Sequence, residues 1–266
     1  MSEKSKKKGG KVRPNGTRRK LDAGEPAVGL FVSTASPLAA EVVGGIGFDW
    51  VLIDLQHGEN NLGNLAAMLT ALSTTATTPF VRVPANDPML IGRAFDLGAY
   101  GVVVPMVNSV ADAEAAVRAL QYAPRGDRSW GPIRGAIYGG DDYFAGADDT
   151  LLLFGMLETA EAVAHAHEIM AVPGLSGCLV GLNDLSITLG LPPEAVAGEV
   201  LPDAVEEALA TILAACQAAG KVPGVQLYGA DAVNRRVRQG FRFVGLGTEL
   251  RIMRGAAAAM LRGVER

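Results

Sequence analysis

The chain has 266 residues, is 49% hydrophobic and carries a formal net charge of -4, enough for one large domain or two small ones. No run of about 18 apolar residues is present, which excludes a membrane-spanning helix. Only two cysteines occur, Cys178 and Cys216, each inside an apolar segment; they read as buried thiols of a reducing, cytoplasmic protein rather than a disulfide or zinc site.

The charge is uneven, because nine of the 24 Lys/Arg but only one of the 28 Asp/Glu fall in the first 20 residues. Residues 1–14 read as a solvated, disordered basic tail and residues 15–266 as one domain. The tail has no apolar run behind it, so it is not a secretory signal. The acidic body lacks basic stripes and aromatic clusters, which argues against nucleic-acid partners.

From residue 27 onward, short β-branched apolar runs alternate with Ala-rich helical patterns. Strand-like 27–33 precedes a helix at 36–45, strand 49–55 a helix at 61–72, and strand 79–84 a helix at 87–98 that opens with Asp87 as N-cap and Pro88 behind it. Strand 101–107 precedes a helix at 109–122, and strand 151–157 a helix at 159–171. Strand 177–182 leads through a short DLSITLG turn to a helix near 202–219. Strands 224–229 and 241–247 are followed by helices at about 230–239 and 248–262.

These strands are continuously apolar rather than alternating, the pattern of parallel strands buried on both faces. Eight strand–helix units predict an α/β protein with a (β/α)8 TIM barrel. A doubly wound sheet is the runner-up, but no G-x-G-x-x-G turn follows the first strand. The one long insertion, 123–150, is expected to leave the C-terminal end of the fourth strand, on the active face.

In such a barrel the C-terminal strand ends share one mouth. They carry Asp54, Gln56 and His57 after the second strand, Arg82 after the third, Glu158 after the fifth, and Asn183 and Asp184 after the sixth. Glu158 and Asp184 are hard oxygen donors that suit Mg²⁺ or Mn²⁺; alternatively each caps the helix behind it. Arg82 offers a fixed fork for a carboxylate or oxyanion, or forms a structural ion pair. His57 suits proton transfer or metal binding, with Asp54 or Asp96 as the carboxylate that orients it. His165 and His167 point in different directions on one helix and read as surface or packing residues.

Beyond Lys20 the only lysine is Lys221, placed before the seventh strand and away from the mouth. Schiff-base chemistry requires a lysine in the pocket, so carbonyl activation falls to a metal or fixed dipoles. No G-x-S-x-G elbow supports serine hydrolase chemistry.

DLQHG (54–58), VRVPANDP (81–88), FDLGAYGVVVPMV (95–107), APRGDRS (123–129), MLET (156–159) and GLNDLS (181–186), in this order, resemble the HpcH/HpaI aldolase family over about residues 15–263. The resemblance implies a metal-dependent class II pyruvate aldolase of the phosphoenolpyruvate/pyruvate barrel superfamily, acting on a 2-oxo acid and an aldehyde. It implies Glu158 and Asp184 as ligands of a divalent cation (Mg²⁺, Mn²⁺ or Co²⁺), and Arg82 on the substrate carboxylate or the enolate oxygen. His57 becomes the acid/base, acting through a water, oriented by Asp54 or Asp96. The backbone near Leu182 and Asn183 contacts the pyruvate carboxylate, with Gln56 on the substrate side. It also implies a hexamer, a trimer of dimers in which the C-terminal helix packs on a neighbouring subunit.

Three departures stand out: Met156 where the family often has Gln, Gln56 where many members have Glu, and GLNDLS where G-P-x-D-L-S is usual. Alternatives within the resemblance are a CoA-thioester lyase of the citrate or malyl-CoA type and oxaloacetate decarboxylation. A non-catalytic barrel that docks a partner through its tail is a further alternative, opposed by the complete set of mouth residues.

Overall fold

The computed structural model describes residues 12–198 and 200–265. Eight parallel strands run in the order β6-β5-β4-β3-β2-β1-β8-β7, and the last gap is bridged at Gly177–Val222 and Val180–Val225. The barrel is thus nearly closed, and the expected (β/α)8 architecture is borne out. In chain order it begins with α1 (Gly16–Asp22), β1 (Ala27–Val32), α2 (Pro37–Gly44), β2 (Trp50–Asp54), α3 (Leu62–Leu72) and β3 (Thr78–Arg82). Next come α4 (Pro88–Asp96), β4 (Gly101–Val104), α5 (Val110–Leu120), α6 (Ile133–Gly139), α7 (Tyr143–Thr150) and β5 (Leu152–Met156). Then follow α8 (Ala160–Ala164), α9 (Ala166–Met170), β6 (Gly177–Leu179), α10 (Leu182–Thr188) and α11 (Asp203–Ala218). The chain ends with β7 (Gly224–Leu227), α12 (Ala230–Gln239), β8 (Phe243–Thr248) and α13 (Glu249–Arg262).

Each strand sends alternate side chains to opposite faces, which creates two cores. Outward residues such as Val51, Ile53, Val81 and Val102 pack beneath the helices. Inward residues Phe31, Trp50, Leu52, Phe80, Phe154 and Phe243 fill the barrel. There the Phe154 and Phe243 rings stack at 4.1 Å and Trp50 lies 4.3 Å from Phe243. This aromatic layer makes the barrel a packed core rather than a pore, and it supports the mouth from below.

The N-terminal end of the barrel is covered by α1. Leu21 joins the inner core, and the Thr17 hydroxyl donates to the Asp49 carbonyl at 3.0 Å. Residues 12–14, assigned by sequence to the tail, lie on the body: Arg13 N–H donates to the Gly139 carbonyl at 2.7 Å and its guanidinium stands 4.1 Å from the Tyr138 ring centre. The rest of the expected tail, 1–11, lies outside the described residues.

The insertion 123–150 corrects another expectation. It follows α5, not β4, and each helix of a β/α unit returns the chain to the N-terminal end of the strands. The segment folds into α6 and α7, lines a groove along α4 through residues 127–129, and holds the start of the chain at the N-terminal end through the Asn15 amide, which donates to the carbonyls of Tyr100 and Thr150. The helix expected at 159–171 is divided at His165, whose φ of -102° and ψ of 12° interrupt it; His165 and His167 are exposed. The DLSITLG turn is a true helix, α10. The two cysteines are free and buried, with their sulfurs 3.5 Å apart. Among the described residues no helix is long and apolar enough to cross a membrane.

Candidate active site

The C-terminal ends of the strands surround a cavity of about 410 Å³ lined by Phe31, Ser33, Asp54, His57, Arg82, Met156, Gly181, Leu182, Asn183, Asp184, Gln226, Tyr228 and Thr248. Residues as far apart in sequence as Phe31 and Thr248 meet here, because parallel strands all finish on the same face. No lysine is among these lining residues. Lys221 sits at the opposite end, donating from Nζ to the Leu175 carbonyl at 2.7 Å.

Asp54 and Arg82 end neighbouring strands in direct register, which places their side chains side by side. They form a two-point ion pair, Nε to Oδ1 at 2.9 Å and Nη2 to Oδ2 at 2.6 Å, with Asp54 only 2% and Arg82 8% exposed. The guanidinium stands 5.1 Å from the Phe31 ring centre, and its third nitrogen, Nη1, lies 3.8 Å from Met156 Sδ. The structural ion pair and the mouth position are therefore both real for Arg82: one edge of its fork is held by Asp54, and Nη1 remains uncommitted to that carboxylate.

The structure pairs the Asp54 carboxylate with Arg82 and not with the His57 imidazole. Both carboxylate oxygens are engaged by Arg82. Oδ1 also accepts the backbone N–H groups of Gln56 and His57 at 3.1 and 3.4 Å. Asp54 thus holds the backbone of the turn that carries His57. His57 is exposed on the cavity wall.

Asp96 is likewise not in the mouth of its own chain. It ends α4, and a helix C-terminus in a β/α unit lies at the far end of the barrel. Its carboxylate accepts from Arg128 at 2.8 Å, and it lines a separate groove with Pro88, Met89 and Ser129. Gln56 is not among the residues lining the cavity, and its Oε1 is buried.

Glu158 follows β5 and is 1% exposed. Burial pushes its carboxyl up to about 7; the Met106 N–H, donating to Oε1 at 2.9 Å, and Arg82 oppose the shift, while the Asp184 charge adds to it. Met106 presents that N–H from a backbone with φ of 55°, the one positive φ outside glycine among the described residues, a conformation costly for a long side chain. Gly181 packs closely beside it: a Cβ there would stand 2.5 Å from Glu158 Oε2, so the carboxylate would have to shift. Asp184 is exposed in the first turn of α10. The helix has Gly181 at its N-cap with no side-chain cap, so the N–H groups of Leu182 and Asn183 have no partner within the helix.

The donor set fits a hard dication. Two carboxylates, one buried and repelled by the other, gain from a positive charge between them. Among the described residues no cluster of three or more His, Cys, Asp or Glu is suited to a metal, so further ligands would be water and substrate oxygens, as Mg²⁺ prefers. Neither carboxylate caps its following helix through a hydrogen bond; the N-cap of α8 is Thr159.

Ser33, Tyr228 and Thr248 end β1, β7 and β8 or follow them directly, and the strand-end rule applied to those three strands finds them. Met106 had no sequence signal, because its contribution is a backbone N–H.

A sequence profile of the family described as HpcH/HpaI aldolase/citrate lyase matches residues 27–256. A hydroxypyruvate/pyruvate aldolase of Rhizorhabdus wittichii is 35% identical over 247 residues, covering 93% of this chain and 97% of that protein. A 4-hydroxy-2-oxo-heptane-1,7-dioate aldolase of Salmonella arizonae is 34% identical over 252 residues, covering 93% and 94%. The crystal structure of a family protein from Burkholderia cenocepacia J2315 superposes with a TM-score of 0.81 at 31% identity, covering 92% of this chain and 97% of that one.

Proposed function

The chain belongs to the HpcH/HpaI aldolase/citrate lyase family, and from that premise we propose that it is a divalent-metal-dependent class II aldolase. It cleaves and forms 4-hydroxy-2-oxo acids, with pyruvate or a related 2-oxo acid as the nucleophilic partner and an aldehyde as the acceptor. The observation that carries this reading is the pairing of a lysine-free mouth with the buried Glu158 carboxyl, which lies beside a second carboxylate and is pushed up to about 7.

Glu158 and Asp184 hold the cation, which when bound supplies Lewis acidity to the 2-oxo acid. The free backbone N–H groups of Leu182 and Asn183 receive the substrate carboxylate at the N-terminus of α10. Arg82 directs Nη1 to the enolate oxygen. Its other edge is anchored on Asp54, so the donor does not have to reorganise as negative charge develops. In cleavage His57, through a water, removes the proton of the 4-hydroxyl. The bond between the third and fourth carbons then breaks, releasing the aldehyde and leaving an enolate that is protonated at carbon. Synthesis runs the same steps in reverse.

The exposed face of α13, with no buried residue and Leu250, Ile252, Met253, Met260 and Leu261 all solvent-facing, supports packing on a neighbouring subunit in a hexamer. The decisive experiment offers pyruvate and a panel of aldehydes to the enzyme before and after chelation, with add-back of Mg²⁺, Mn²⁺ or Co²⁺. Activity is expected to vanish with the metal and return with it. Full activity in the metal-free enzyme would overturn the proposal.

A further inference from the structure

Glu249 opens α13, beyond the last strand, and does not line the cavity. Its carboxylate does not serve its own helix, whose N-cap is Thr248, accepting from the Arg251 N–H. Instead Glu249 Oε1 accepts two backbone N–H groups from the end of β1, those of Ser33 and Thr34, both at 2.7 Å. These partners lie more than 200 residues away in sequence, so the contact joins the end of the chain to its first strand.

Ser33 in turn touches the turn that carries His57. The Ser33 carbonyl accepts the Glu59 N–H at 2.7 Å. Gly58 is packed so closely that a Cβ would stand 2.7 Å from the Ser33 oxygen and 2.6 Å from that of Asp54. Asn60 ties the same turn down, donating to the carbonyls of Val32 and Asp54 at 3.2 and 3.4 Å. His57 is thus braced from two sides: Asp54 holds its backbone N–H from β2, and the Ser33–Glu59 contact holds the residues behind it. The second brace is fixed by Glu249.

We propose that Glu249 is a positioning residue for His57, acting through the Ser33–Thr34 strand end, and that the first turn of α13 is thereby part of the catalytic architecture. The inference rests on the aldolase reading and on His57 as its proton carrier. Two N–H groups converging on one carboxylate oxygen hold this strand end in one place, and charged acceptors make the stronger hydrogen bonds. Loss of that acceptor frees the turn by a fraction of an ångström to an ångström, a displacement that costs up to roughly 10²-fold in rate when it moves a reacting group.

The test compares Glu249→Ala, Glu249→Gln and His57→Ala, alone and combined, by steady-state kinetics of aldol cleavage with saturating metal. Glu249→Ala is expected to lower kcat about 10-fold or more while KM for the 2-oxo acid substrate stays within about twofold. Glu249→Gln, which keeps a carbonyl oxygen as acceptor for both N–H groups, is expected to restore most of the rate. In the His57→Ala background Glu249→Ala is expected to add no further loss, as two residues acting through one group are not additive. Amide hydrogen exchange supplies an activity-independent reading: residues 57–59 are expected to exchange about 10-fold faster in Glu249→Ala than in wild type.

Wild-type kcat and unchanged exchange in Glu249→Ala, or losses that multiply in the double variant, overturn the proposal. Wild-type rates in His57→Ala overturn the functional reading instead, and exchange at 57–59 then decides the positioning claim alone. Should Glu249→Ala fail to fold, Glu249→Asp replaces it with the same expectations, since the shorter side chain withdraws the carboxylate from the Ser33 and Thr34 N–H groups.

Discussion

The two ends of this barrel are built from the same eight strands and handle polarity in opposite ways. At the N-terminal end, polar groups serve to fasten α1 and the chain start: Asn15 donates twice to carbonyls and caps α1 through Oδ1, and Lys20 pairs with Asp49 at 2.8 Å. At the mouth, one buried carboxyl faces a second carboxylate and backbone strain is retained, beside the paired Asp54 and Arg82. Glu158 faces Asp184, Met106 is held at positive φ, and the first N–H groups of α10 have no partner within the helix. A fold can tolerate such costs at one end because stability is accumulated in the aromatic interior and at the other end. Locations where local rules are broken are where function is expected.

Four measurements test this contrast. The largest effect belongs to the mouth alone: His57→Ala is expected to lower kcat by roughly 10²–10⁴-fold, with thermal stability unchanged because the side chain is exposed. A wild-type rate would remove His57 from the mechanism. Next, Asp54→Ala should blur the contrast, since this mouth residue also carries stability. It leaves the buried Arg82 charge without its partner, and chemical denaturation should show a loss of about 3–5 kcal/mol. A loss below about 1 kcal/mol would mean that water repairs the site.

The third effect is set by pH. The Glu158 carboxyl is raised in the folded protein, so its protonated form is favoured there. Below the ordinary value of 4.5 both folded and unfolded chains are protonated and no penalty arises. As pH rises from 4.5 through about 7 the metal-free protein loses stability, of order 3 kcal/mol for this one group. Denaturation of metal-free wild type at pH 5 and pH 8 should show the loss, and Glu158→Gln should abolish it. A flat profile in wild type would show that the carboxyl is not penalised. The smallest effect lies at the far end: the Arg118–Asp127 ion pair is 60% or more exposed on both sides, so Arg118→Ala should change stability by about 1 kcal/mol at most and leave kcat untouched. A change in kcat would mean that the two ends are coupled.

Much of the fold was legible because its signals are local. Each of the eight strands is a short apolar run, Asp87–Pro88 marks a helix start, and repetition of the unit specifies a barrel. The family was legible through six ordered motifs, among them DLQHG and MLET, and the profile match confirms it. The DLSITLG segment was not legible as α10, because seven residues are too few to show helical periodicity. The position of 123–150 was not legible because the segment follows α5, and which end of the barrel it reaches depends on the direction in which that helix returns the chain.

By itself the sequence determined that a parallel barrel forms, that Asp54 and Arg82 close two of its strands while Glu158 and Asp184 follow two others, and that no lysine is near them. Strand ends are set by residue type and spacing, which a linear chain displays in full. Only the tertiary structure decided which of these groups hold one another. Asp54 belongs to Arg82 because β2 and β3 pair in register. Asp96 belongs to Arg128 because α4 ends at the far side. Glu158 rises toward neutral pH because folding buries it beside Asp184. Hydrogen-bond partnership and dielectric depend on distance in space, and residues separated by 28 positions, as Asp54 and Arg82 are, or by more than 200, as Ser33 and Glu249 are, carry no sign of it in the chain.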